Sequence, residues 1–142
     1  MIYYYAIIKK AREGGFVAVF PDIPEAFTQG DDIPECIEMA TDVLNISLEE
    51  YVRERRELPV PSSFEEVTKI AENLFLDPEE TKYIDTSFAP LVQIIFAEDM
   101  SQKPVKIMVS FPKRYLQDID KKAEQLGMTR SGFLVKAALA YE

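Results

Sequence analysis

Alternating and helix-spaced apolar positions divide the chain into strands and helices. Residues 2–10 form a β-prone run with Tyr and Ile on both faces, and Phe16-Val17-Ala18-Val19-Phe20 returns as a second strand. Glu13-Gly14-Gly15 lies between them and predicts a hairpin, because glycines accept the positive φ that tight turns require. Pro21-Asp22-Ile23-Pro24 ends the second strand, and residues 26–29 make a short third. A helix follows over about 33–56, with Ile37, Ala40, Val43 or Leu44, Ile46 or Ser47, and Tyr51 on its buried stripe. Asp32 suits its N-cap, Pro34 its first turn, and Glu35 and Glu38 the positive end of its dipole. Arg53, Arg55 and Arg56 place cations at the negative end. Leu58 to Ser63 reads as an extended connector and Phe64 to Phe75 as a helix. Thr81–Thr86 and Leu91–Ala97 are further strand candidates, the second the stronger. This order predicts an α+β fold: a mostly antiparallel sheet with a helix on one face. Its glycines read as turn residues, and none forms a phosphate-cradling loop after a strand.

The last forty residues follow a different plan. From Pro104 to Phe111, Val105, Ile107, Val109 and Phe111 share one face of a strand, and Lys106, Met108 and Ser110 share the other. A helix from Pro112 carries Tyr115, Leu116, Ile119, Ala123 and Leu126 on one stripe, and Gly127 stops it as a left-handed cap. Thr129 caps a second helix bearing Phe133, Leu134, Ala137, Ala138 and Tyr141. One strand and two short helices cannot bury a core alone, so the unit needs a partner, most simply a second copy. Domains are therefore expected at 1–97 and 104–142, with a polar linker at 98–103.

Charge sharpens that division. The whole chain of 142 residues carries −9, but residues 101–142 hold eight Lys/Arg against four Asp/Glu, a net of +4. Residues 1–100 hold eight against twenty-one, a net of −13. Modules with opposite partners are expected. No run approaches the ~20 apolar residues of a membrane helix, and the N-terminal stretch lacks the pattern of a secretory signal. A single cysteine and a cytosolic, reducing setting agree. The absence of histidine removes imidazole catalysis and ligation, and no cofactor is expected.

Asp22, Asp31, Asp32, Glu35 and Glu38 invite a reading as a metal-dependent nuclease or hydrolase. Their place around a turn and a helix start accounts for them more simply, as favourable helix-dipole charges. Cys36, in the first turn, has no His or second Cys beside it in sequence and reads as a packing residue. Asn45-Ile46-Ser47 matches a glycosylation sequon by chance in mid-helix. A stand-alone repressor whose N-terminal domain senses a small molecule is a further alternative, and would need a large apolar pocket.

If two copies pair the 104–111 strands antiparallel, Ile107, Val109 and Phe111, with Phe133 and Leu134, form the dimer core. Lys106, Met108 and Ser110 then face outward on a two-stranded ribbon of the size that enters a major groove. There Lys106 would donate to guanine, Ser110 would bond base edges and Met108 would pack on a thymine methyl. Thr129, Arg130 and Ser131, at the start of the last helix, suit a DNA phosphate.

The stretch Phe111-Pro112-Lys113-Arg114, Ile119-Asp120 and Gly127-Met128-Thr129-Arg130-Ser131-Gly132-Phe133-Leu134 resembles a ribbon-helix-helix repressor domain. The first half, with Pro21-Asp22-Ile23-Pro24 and Thr28-Gln29-Gly30-Asp31 leading into a helix, resembles the N-terminal domain of HicB-type antitoxins. The resemblance implies a type II toxin–antitoxin component without enzymatic activity. Its N-terminal domain, a partial ribonuclease-H-like fold, would mask a HicA-like basic ribonuclease toxin, with Asp22, Ile23, Asp31 and Asp32 at the interface. Its C-terminal domain would form a homodimer, bind operator double-stranded DNA and repress the operon, with pairing of dimers into tetramers left open. The sequence departs from the family pattern at Glu25, at Met108 and in the length of the segment 64–86.

Overall fold

The computed structural model describes residues 2–102, 104 and 106–141, which divide into two compact units, 1–105 and 106–142. The first contains β1 (Tyr3–Lys10), β2 (Phe16–Val19), β3 (Phe27–Gly30), α1 (Ile33–Arg53), α2 (Phe64–Leu76) and β4 (Leu91–Phe96). The second contains α3 (Lys113–Gln125) and α4 (Arg130–Ala140). Among the described residues the architecture is mixed α+β, with one four-stranded sheet and four α-helices.

The sheet runs in the order β3-β2-β1-β4, and each neighbouring pair is antiparallel. Gly14 and Gly15 turn β1 into β2 at φ of 112° and 74°, the left-handed region that a side chain resists. Alternation along β1 sends Tyr4, Ala6 and Ile8 to one face, where they pack with Ala18, Ile95 and the inner stripe of α1. That stripe is Cys36, Ala40, Leu44, Ser47, Leu48 and Tyr51. Full burial of a Leu such as Leu44 or Leu48 is worth roughly 1.5–3 kcal/mol, so this layer is the main source of stability. Of the two candidates at the middle of the stripe, Ser47 is buried and Ile46 points to solvent, 65% exposed.

The opposite face of the sheet is not open, as a one-helix layer would leave it. Ile7 packs there on Val67 and Ala71 of α2, joined by Tyr5, Val19, Leu74 and Val92. This is why β1 reads as an almost unbroken apolar run: both of its faces are covered. Ser63 caps α2 by accepting the Glu66 N–H, a contact worth about 1 kcal/mol.

The expected strand at 81–86 is absent. Glu80–Lys82 is a 3-10 turn, and the following segment reaches the sheet through a single bridge, Ala11 with Ile84. The chain is held there by Arg12, whose backbone N–H donates to Tyr83 O at 3.0 Å and whose Nε–H donates to Ile84 O at 3.0 Å. The expected linker at 98–103 is also partly built into the first unit. Met100 is buried in the main core, and Glu98 N–H donates to Asn45 Oδ1 at 2.9 Å; Lys103 lies outside the described residues.

In the second unit Pro112 precedes α3 as its N-cap. Gly127, at φ 65°, ends the helix as expected: its N–H reaches Glu124 O, and Met128 N–H reaches Ala123 O. Those are the two bonds of a Schellman ending. Thr129 then accepts the Gly132 N–H at 3.0 Å and starts α4. The predicted strand before α3 carries no regular structure over 106–112, and Val105 lies outside the described residues. Among the described residues no neighbouring strand is present to complete its backbone hydrogen bonds.

Candidate protein and nucleic-acid interfaces

In the first unit the proline-flanked turn at Asp22 serves the fold. Ile23 is fully buried in the core, which removes it from the expected toxin-contact set. Asp22 accepts both the backbone N–H and the hydroxyl of Ser62, tying the extended connector to the turn. Tyr4 assists from within, its hydroxyl donating to Pro59 O at 2.7 Å. Burial, with Asp22 and Tyr51 nearby, pushes that phenol above its ordinary range, so it stays protonated as a donor.

Asp31 and Asp32 stand exposed at the start of α1. Asp32 accepts the Glu35 N–H at 2.8 Å, and Glu35 reaches back to accept the Asp31 N–H at 3.0 Å. The arrangement is a reciprocal cap displaced by one residue from the usual capping box. Beside it, Gly30 is pressed so closely on α1 that an added Cβ would lie 2.6 Å from Cys36 N. Cys36 is buried, and desolvation followed by the charge of Glu35 pushes its thiol up, against the activation its helix-start position suggests.

A groove of about 440 Å³ opens at the hairpin end of the sheet, lined by Arg12, Glu13, Asp31, Glu35 and Lys82 around Phe16 and Tyr83. Its charged lining differs from the apolar pocket of a small-molecule sensor. Among the described residues no three Asp, Glu, Cys or His side chains converge where a metal ion could be held. The Asp22 carboxylate is taken by Ser62 and that of Asp32 by the Glu35 N–H, whereas Asp31 contributes its backbone N–H to Glu35. Among the described residues, no helix is long and apolar enough to cross a membrane.

The second unit presents the opposite character. Ala123 is its one buried residue among those described, and Phe133 and Leu134 are half-buried. Ile107 (63% exposed), Val109 (58%) and Phe111 (39%) remain open, whereas Met108 is exposed almost completely, at 98%. Lys106 and Ser110 are exposed, as are Thr129, Arg130 and Ser131. The Arg130 side chain is paired within the unit. Its Nε and a terminal nitrogen donate to the two Asp120 oxygens at 2.8 and 2.9 Å, bracing the start of α4 to α3. That bidentate pair holds the Asp120 carboxyl below the usual carboxylate range.

Sequence comparison finds Antitoxin HicB 1 of Photorhabdus laumondii to be 43% identical over 58 residues, which is 41% of this chain and 37% of that protein's length. Among solved structures, a toxin–antitoxin complex from Streptococcus pneumoniae superposes with a TM-score of 0.57 at 24% identity, covering 97% of each chain. The Burkholderia pseudomallei antitoxin HicB superposes at 0.51 and 23%, over 98% of this chain and 95% of that one. These structural likenesses concern the fold. A family model described as the HicB-like antitoxin of bacterial toxin–antitoxin systems matches residues 4–138, nearly the whole sequence. With its four-stranded antiparallel sheet followed by the α3–α4 unit, the chain belongs to the HicB-like antitoxin family.

Proposed function

We propose that the protein neutralises a small basic HicA-like ribonuclease toxin through its first unit and represses its own operon through its second. The observation that carries the proposal is the division of charge and closure between the units. The first is strongly acidic and has its core closed on both faces of the sheet. The second is basic and keeps a row of apolar residues uncovered. An acidic surface raises the encounter rate with a basic partner and selects against acidic ones. That a structural neighbour is a toxin–antitoxin complex supports the same partner class. The antitoxin acts by binding, without catalysis of its own, in the cytosol.

In the second unit, two copies pair the segments beginning at Pro104 as an antiparallel ribbon. Ile107, Val109 and Phe111 then turn onto α3 and α4 with Phe133 and Leu134, giving a homodimer, with tetramers arising where dimers pair again. This ribbon-helix-helix arrangement supplies the missing strand partner and a core that a single copy lacks. Lys106, Met108 and Ser110 form the base-reading face, and Thr129, Arg130 and Ser131 meet the flanking phosphates. Arg130 enters that contact already oriented by Asp120. Because Met100 is in the first core, the toxin-binding domain extends to about residue 102 and the connection to the ribbon is short.

Deleting residues 103–142 tests the division of labour. The remaining domain should bind the toxin and lose operator DNA, measured by calorimetry and gel shift. Loss of toxin binding with DNA binding retained would reverse the assignment.

A further inference from the structure

We infer that the outer face of α1, centred on Ile46, is the docking surface for the basic toxin; the inference rests on the function proposed above and names its site. Positions 35, 39, 42, 46 and 49 recur at intervals of three and four and so form one stripe along the helix. Ile46 is 65% exposed on it, and Met39 is 41% exposed one heptad before. The inner stripe of the same helix is buried in the core, so these two apolar side chains play no part in holding α1 to the sheet. Glu38 and Asp42, both exposed, flank them.

Charge decides the occupant. From residue 13 to residue 52 the chain contains ten Asp or Glu and neither Lys nor Arg. The first cation beyond that stretch, Arg53, is held by Glu50 at 2.6 Å, and Arg56 is held by Glu54 at 2.7 Å. The exterior of α1 therefore keeps its negative field for most of its length. A second copy of this face would meet like charge, which disfavours self-association. A basic protein with an apolar centre fits both features: Ile46 and Met39 supply the desolvated anchor, and the acids steer and orient. The outer face of α2 also exposes an apolar residue, Leu76 at 79%, but Lys69 interrupts its acids. It is the natural control.

The test uses the full chain and the purified product of the reading frame adjoining its gene, with affinity measured by calorimetry at two salt concentrations. Ile46→Lys should weaken binding by about thirtyfold or more, as expected for loss of an anchor. Asp42→Lys should weaken it less and reduce its salt dependence, and Leu76→Lys should leave it unchanged. Each variant is first matched to the parent by circular dichroism and thermal melting, and Asp42→Lys carries the test alone where Ile46→Lys does not fold. Parent binding that survives both α1 substitutions overturns the docking surface while leaving the toxin partnership intact. So does an Ile46→Lys effect confined to the oligomeric state. A parent protein that does not bind that product overturns the partnership and the surface together.

Discussion

Asp22 and Ser62, forty residues apart in sequence, are joined by two hydrogen bonds: Ser62 N–H donates to Asp22 Oδ2 at 2.8 Å and its hydroxyl to Oδ1 at 2.5 Å. The carboxylate thus fixes the connector between α1 and α2, and with it the start of the helix that covers the second face of the sheet. The acid reads in sequence as surface charge; in the fold it is a clasp.

Removing the clasp should be costly because it strands a partly buried backbone donor. Asp22→Ala should lower stability by about 1–3 kcal/mol, whereas Ser62→Ala, which deletes only the hydroxyl bond, should cost about 0.5–1.5 kcal/mol. Urea denaturation of the two variants checks the ordering, and hydrogen exchange at the Ser62 amide should accelerate only in the first. Equal costs would show that the backbone bond contributes little.

Gly30 gives a second stability prediction, from crowding. A methyl group there would meet Cys36 N at 2.6 Å and Cys36 Cα at 2.8 Å, backbone atoms that cannot swing aside. Gly30→Ala should therefore cost about 1–3 kcal/mol by overpacking, despite the usual entropic benefit of replacing glycine. A melting temperature at or above that of the parent would contradict the close approach of β3 to α1.

The pattern of what sequence alone reveals follows from range. Short-range signals were enough for the Gly14-Gly15 hairpin, the Asp32 and Thr129 caps and the Gly127 helix ending, because each depends on neighbours within a few residues. Between Ile46 and Ser47 periodicity alone could not choose, since a helical stripe is wider than one residue. The end of α1 was also hidden. Its left-handed residue is Arg55, at φ 58°, where the sequence shows no glycine to mark the stop. The second helix layer, the burial of Ile23 and Met100 and the Asp22–Ser62 clasp all depend on contacts distant in sequence. The 106–111 stretch illustrates the converse: its pattern is plain, but among the described residues no strand pairs with it.

Within the second unit, Arg130 lowers the titration of Asp120, first by hydrogen bonding and then by charge. A carboxylate depressed on folding contributes stability that is present above its unfolded value of about 3.9 and is lost as pH falls through the lower folded value. Carbon-detected NMR should place the Asp120 midpoint below that of an unpaired aspartate. In Arg130→Ala the midpoint should rise back toward the ordinary range. An unchanged midpoint would break the assignment of the pair and the bracing of α4 that it provides.

The base reading proposed for a ribbon of two copies gives the last prediction. Lys106 is exposed beside Met108, which is 98% exposed and so has no packing role in the single chain. A lysine contacting a guanine edge discriminates between sequences, whereas one neutralising phosphate binds all sequences alike. Lys106→Ala should therefore cost about 1–3 kcal/mol on operator DNA and much less on scrambled duplex of equal length. Substituting Thr129 by Ala, which removes the α4 cap and disturbs the proposed phosphate contact, should instead weaken both duplexes together. Fluorescence anisotropy on the two DNAs, repeated across salt, separates the cases. A uniform loss for Lys106→Ala would move that residue from the reading face to the backbone contacts. No loss on either DNA would remove the ribbon from the interface.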